Sequence, residues 1–190
     1  MPNFRVVVLA SGTGTLFTAL ANQAEQIGIQ IVGLISDAEV PACERARELG
    51  IPVTVLPIIA DRVKWDQKLA TELSRLKPSL IVSAGFMKIL GPVVLRFHQG
   101  KIINTHPSLL PAFPGAHAVR DALAAGAVET GATIHFIDKG VDTGEIISQV
   151  RVKVEPGDTQ DSLHERIKQA ERELLVATVS EIANGKVTLK

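Results

Sequence analysis

Residues 5–24, RVVVLASGTGTLFTALANQA, decide the fold. The first part, Arg5–Ala10, is a run of β-branched and apolar side chains without polar alternation, the pattern of a strand buried on both faces. The last part, Leu16–Ala24, reads as a helix. Between them, Ser11-Gly12-Thr13-Gly14-Thr15 places small residues at a strand-to-helix turn. Small residues let a ligand approach the backbone, and the free N–H groups of a helix start favour an anion. The turn is not a dinucleotide fingerprint, because Phe17 stands where a third glycine belongs, and the lysine of a Walker loop is missing. A phosphate site and a turn without a ligand both fit this stretch. Asp37 stands where a ribose-binding acid could lie.

Further apolar runs alternate with helical patterns along the chain. Ile29–Ser36, Pro52–Leu56, Ser79–Ser83 and Lys101–Thr105 read as buried strands. Cys43–Leu49, stopped by Gly50, and Val63–Leu76, stopped by Pro78, read as helices. In the second of these Trp65, Leu69, Leu73 and Leu76 fall at helical spacing, and Asp61 suits its cap. This rhythm predicts an α/β fold with a mostly parallel sheet and helices on both faces. Past residue 105 the pattern changes. A loop with Pro107, Pro111 and Pro114 leads into a helix over 116–125, ended by Gly126. Two β-rich runs, Ala132–Ile137 and Glu145–Val154, flank the glycine-punctuated segment Asp138–Gly144 and are expected to pair antiparallel at the sheet's edge. A last helix, Ser162–Ala183, meets its stop at Gly185.

The composition narrows the function classes. With 190 residues, 46% of them hydrophobic, the chain can bury one sizeable core, and residues 1–190 are expected to form a single domain. Twenty basic residues balance twenty acidic ones, which argues against a nucleic-acid partner. Cys43 is the lone cysteine, so neither an intramolecular disulfide nor a cysteine-based metal site is available. Val6–Ala10 is too short for the core of a signal peptide, and no stretch approaches a membrane span. A soluble, cytoplasmic protein is expected.

Asn104-Thr105-His106-Pro107 closes a buried strand at its C-terminal end, the edge beyond which parallel sheets bind ligands. Strand alternation puts residues 104 and 106 on one side, and Pro107 disfavours a helical His106. An amide can donate to a developing oxyanion while an imidazole moves protons, although a buried structural pair fits the same spacing. Asp142, in Gly140-Val141-Asp142-Thr143-Gly144, is either a turn residue bonded to its own backbone or the carboxylate that orients His106.

The run Asn104-Thr-His-Pro-Ser-Leu-Leu-Pro-Ala-Phe-Pro-Gly-Ala-His117 resembles the signature of the folate-dependent formyltransferase family, in its glycinamide ribonucleotide branch. Ala84-Gly-Phe-Met-Lys-Ile-Leu90 and Gly140-Val-Asp-Thr-Gly144 match two further family segments in the same order, so the resemblance spans essentially the whole chain. It implies a Rossmann-like twisted sheet, the formyltransferase fold, with a phosphate-binding N-terminal half and a folate-binding C-terminal half. It also implies formyl transfer from 10-formyltetrahydrofolate to the amine of glycinamide ribonucleotide in purine synthesis, without a metal or a covalent enzyme intermediate. Such an enzyme takes small-molecule substrates and works as a monomer or homodimer.

The implied roles fall on particular residues. Asn104 steadies the oxyanion, His106 donates a proton to the leaving folate nitrogen, and Asp142 holds His106. Gly12, Thr13, Gly14, Thr15 and Leu16 form the substrate-phosphate loop, and Glu171 holds the ribose. Met87, Lys88, Ile89 and Leu90 wall the pterin, Arg62 lies near the folate tail, and the 138–142 loop, with Asp138, closes over the pterin together with Asn104. His135 and Thr133 are expected to line the site. Thr15-Leu16 departs from the Ser-Asn of many members, and Lys88 replaces a frequent arginine. Among rivals, transfer-RNA formyltransferases append a basic C-terminal domain and formyltetrahydrofolate hydrolases usually carry an N-terminal regulatory domain, and neither is expected for this chain. A non-catalytic nucleotide-binding module would leave Asn104, His106 and Asp142 unexplained.

Overall fold

β1 (Phe4–Leu9) enters the centre of the sheet, and its alternating side chains generate two cores at once. Val6 and Val8 point to one face, where they meet Leu16, Phe17 and Leu20 of α1 (Thr15–Gln23) and Leu175 and Val179 of α6 (Gln160–Ala183). Val7 and Leu9 point to the other, against Trp65, Leu69 and Leu73 of α3 (Arg62–Leu76). A strand with no polar alternation therefore lies between helices on both sides, as its composition predicts. This computed structural model describes residues 4–190.

The remaining elements are β2 (Ile29–Ser36), α2 (Pro41–Glu48), β3 (Val53–Val55), β4 (Leu80–Ser83), α4 (Pro92–His98), β5 (Ile102–His106), α5 (Ala118–Ala124), β6 (Glu129–Phe136) and β7 (Ile146–Lys153). The strands form a seven-stranded sheet in the order β3-β2-β1-β4-β5-β6-β7. β1 to β5 run parallel, whereas β6 pairs antiparallel with β5 and with the edge strand β7.

Local signals set the helix ends. The Asp61 carboxylate accepts the Lys64 N–H at the start of α3. At the end of α6, Gly185 takes φ 72°; its N–H donates to Ile182 O, and the Lys186 N–H donates to Glu181 O.

The expectation differed most at α4, which has no counterpart in the sequence reading. Two valines in seven residues hide its helical character, and its cap comes from far along the chain. Asp66, 3% exposed on α3, accepts the backbone N–H groups of Gly91 (2.8 Å), Val93 (2.7 Å) and Val94 (3.3 Å). Gly91 is required there, since a Cβ would lie 2.4 Å from the Asp66 carboxyl carbon. Burying a carboxylate in this way anchors the segment that follows residues 87–90. Asp66→Ala would leave those donors buried without a partner and should lower stability by about 2–3 kcal/mol. Urea unfolding measures it; a loss below about 0.5 kcal/mol, the level of an ordinary surface substitution, would remove Asp66 as the anchor.

Candidate active site

β5 carries Asn104 and His106 to the C-terminal edge of the parallel strands, on the same side, with Thr105 between them facing the other way. The antiparallel register sets Asn104 opposite His135 and His106 opposite Thr133. His135 Nδ1 lies 2.9 Å from the Phe136 carbonyl, which can only accept, so that nitrogen carries a proton. Nε2 lies 3.2 Å from the Asn104 amide nitrogen and accepts from it when the ring is neutral, whereas a protonated ring turns that N–H to Asp142 Oδ1. One N–H of the amide is fixed and the other is left for a ligand.

His106 is 4% exposed and held from both sides. Its Nε2 lies 2.8 Å from Phe113 O and its Nδ1 3.3 Å from Asp142 Oδ2. Phe113 and Asp142 both have φ 55°, a left-handed conformation uncommon for residues other than glycine. Two strained residues thus supply the two oxygens that orient one imidazole. Asp142 Oδ2 also accepts the Gly115 N–H at 2.8 Å, and Oδ1 lies 3.6 Å from His135 Nε2. His135 contributes most to holding the Asp142 carboxyl below the ordinary aspartate value; burial opposes this, and Gly115 and His106 reinforce it. The turn in this loop is made by Asp138 instead, whose Oδ1 accepts the Gly140 N–H (2.9 Å) and the Thr143 hydroxyl (2.7 Å). Asp138 reaches the cleft beside them with its other oxygen uncommitted among these bonds.

Asn104, His106 and Asp142 open onto a cleft of about 350 Å³, with Met87, Ile89 and Val141 on its walls. Met87 and Ile89 are 73% and 72% exposed, whereas Leu90 is buried. Two apolar side chains are therefore displayed to solvent at a cleft mouth rather than packed in the core. Arg62 does not reach the lining; its guanidinium donates to Ile89 O at 3.0 Å and lies 4.6 Å over the Trp65 ring. Thr133 does not line the cleft either. Its fully buried hydroxyl donates to Ser108 O and accepts from Leu110 N and Gln149 Nε2, bracing the loop after β5.

The glycine turn lies on the opposite side of the sheet's edge, with α1 and α6. Gly14 caps α1 at φ 74°, and no side chain bonds the first-turn N–H groups. A Cβ on Gly14 would meet Ala42 Cβ at 2.7 Å, whereas one on Gly12 would meet nothing. Leu16 is 8% exposed in the core, so only its backbone is available to a ligand, and the Ser-Asn departure leaves the N–H groups in place. Glu171 is also buried, which excludes a solvated helix charge. Burial pushes its carboxyl up, opposed by the Thr105 hydroxyl and by Lys168 and Arg172. Asp37 is not free for a ribose, because its two oxygens go to Ser11 and Lys88.

Sequence reasoning passed over Gln160 and His164, which line the cleft from the first turns of α6. Burial, with Lys168 nearby, pushes His164 below the usual histidine value. Some fifty residues separate these side chains from β5, and no spacing in the sequence joins them to it.

The formyl transferase family model matches residues 4–179. The chain is 47% identical to the phosphoribosylglycinamide formyltransferase of Mycobacterium tuberculosis, over 97% of this chain and 87% of that protein. It is 40% identical to the human trifunctional purine biosynthetic protein adenosine-3, over 97% of this chain and 19% of that protein. Among solved structures, glycinamide ribonucleotide transformylase 1 from Symbiobacterium toebii superposes with a TM-score of 0.95 at 35% identity, covering 98% of this chain and 91% of that one.

The depressed Asp142 carboxyl has a definite pH signature. Its contribution to stability is fully present above the unfolded aspartate value, about 3.9, and is lost as pH falls through the lower folded value. Asp142→Asn removes that contribution. The gap between wild-type and variant urea midpoints should narrow steadily below about pH 4. A gap independent of pH would mean that the charge is not what the side chain contributes.

Proposed function

Because the chain belongs to the formyl transferase family, we propose that it transfers the formyl group of 10-formyltetrahydrofolate to the primary amine of glycinamide ribonucleotide, by direct attack through a tetrahedral intermediate. The observation that carries this reading is the 3.3 Å approach of Asp142 to His106 beside a half-committed Asn104 amide, at the head of a cleft. An amide with one N–H fixed and the other free is preorganised for an oxyanion.

The substrate amine forms a bond to the formyl carbon, and the carbonyl oxygen becomes an oxyanion facing Asn104. Collapse breaks the bond from that carbon to N10 of the folate. The amine nitrogen gives up a proton in the process and N10 takes one. His106 delivers it from Nε2 once the Phe113 carbonyl yields to the bound substrates, while Asp142 keeps hold of Nδ1. The pterin lies along Met87–Leu90 with the Asp138–Asp142 loop over it. The phosphate takes the N–H groups of Gly12–Leu16, and Glu171 holds the ribose beneath β5. Small-molecule substrates in the cytoplasm, with the chain as a monomer or homodimer, complete the reading.

Purified protein should deformylate 10-formyltetrahydrofolate only when glycinamide ribonucleotide is present. Turnover without it would mean a hydrolase, and indifference to it another acceptor. Asn104→Ala should lower kcat by roughly two to three orders of magnitude, and His106→Ala by roughly two to four. The His106→Ala/Asp142→Asn double variant should lose far less than the product of the single losses, since residues acting as a unit are non-additive. Multiplying losses would separate Asp142 from His106.

The phosphate loop has its own test. Gly12→Ala is sterically free in the folded chain, so any effect reports on ligand approach. It should raise KM for the ribonucleotide while leaving weak binding of the riboside, which lacks the phosphate, unchanged. Equal effects on both ligands would move the phosphate elsewhere.

A further inference from the structure

Ser11 joins the glycine turn to the wall of the cleft. It follows β1 by two residues and opens the glycine turn, and its N–H and hydroxyl each reach to a neighbouring strand end. The backbone N–H donates to Gly85 O at 3.2 Å. The hydroxyl accepts the Met87 N–H at 3.0 Å and donates to Asp37 Oδ1. Asp37 follows β2, and its Oδ2 lies 3.1 Å from Lys88 Nζ. With β2 and β4 flanking β1, the loops beyond three adjacent parallel strands are tied through one serine.

The carboxylate at the centre of these contacts is shielded from solvent. The Asp37 side chain is 11% exposed and that of Lys88 31%. Burial pushes the Asp37 carboxyl up, but the Ser11 hydroxyl, Lys88 and its own backbone outweigh this and hold it below the ordinary aspartate value. The carboxylate thus stays charged where it can fix both partners, and charge-assisted bonds of this kind are stronger and geometrically stricter than neutral ones.

We propose that Ser11, Asp37 and Lys88 form a positioning relay that holds the wall Met87–Leu90 in register with the turn Gly12–Leu16, so that occupation of either strengthens binding at the other. The proposal rests on the reading above, in which the wall takes the folate and the turn the phosphate. A ligand ordering the 87–90 backbone also orders Ser11 through the Met87 N–H, and Ser11 is the residue next to Gly12. The second ligand then meets a turn already fixed, and it returns the same factor to the first, as linkage requires.

Calorimetric titration of glycinamide ribonucleotide, with and without a folate analogue carrying carbon in place of N10, measures the coupling without turnover. Wild-type protein should show each ligand tightening the other by a common factor, roughly five-fold or more. Ser11→Ala should bring that factor close to one. Asp37→Asn, which keeps an acceptor for Ser11 but loses the charge facing Lys88, should give an intermediate value. KM for both substrates should rise in each variant, while kcat at saturation stays near wild type because neither residue touches the reacting atoms. Independent binding in the wild type, or full coupling retained in both variants, would overturn the relay. If neither ligand binds the wild type, the reading of the site itself fails, and the relay with it.

Discussion

Between β5 and β6 the sheet reverses direction, and that antiparallel pairing sets Asn104 against His135 and His106 against Thr133. Every contact at the centre of the cleft depends on this register. Side chains alternate with a period of two, so a slip of one residue would turn Asn104 and His106 toward α6 and bring Thr105 to the cleft. Thr133 secures the loop that follows, and that loop returns Phe113 O to His106. The parallel part of the sheet supplies a rigid edge, and the antiparallel part supplies the second strand from which the site is completed.

Three buried or half-buried carboxylates around this edge are answered by donors. Asp66 takes three backbone donors, Asp37 takes a hydroxyl and an ammonium, and Asp142 takes a backbone N–H between two imidazoles. Each carboxylate joins segments distant in sequence, which apolar packing alone would leave free to slide. An unmade bond inside the protein costs more than a made one contributes, so such groups specify position more than they add stability. The left-handed Phe113 and Asp142 belong with them: their conformations are unfavourable alone and persist because the loops around His106 are held at both ends.

The two regions proposed to take substrate meet at the edge rather than in one cavity. The glycine turn and Glu171 belong to the face shared by α1 and α6, and residues 85–90 belong to the face packed by α3 and α4. In the proposed reaction the amine of one ligand and the formyl carbon of the other would approach from opposite sides of β5, which brings two reactants together without enclosing either completely.

The strands, the larger helices and the parallel-then-antiparallel order were legible in the sequence because burial on both faces leaves apolar runs, and because Asp61 and Gly185 mark helix ends locally. Asn104 and His106 were legible as a pair for the same reason, since strand alternation acts over two residues. What the sequence left open were the relations between distant segments. Whether Asp142 makes a turn or faces His106, whether Asp37 is free, and whether Met87 and Ile89 lie in the core depend on which surfaces meet. α4 escaped notice because its cap lies on α3, and Gln160 and His164 because α6 meets the cleft only through the tertiary fold. Periodicity and caps act over a few residues and are written in the chain; a hydrogen bond between residues 66 and 91, or a 3.3 Å contact between 106 and 142, exists only once the packed cores have fixed where each loop ends.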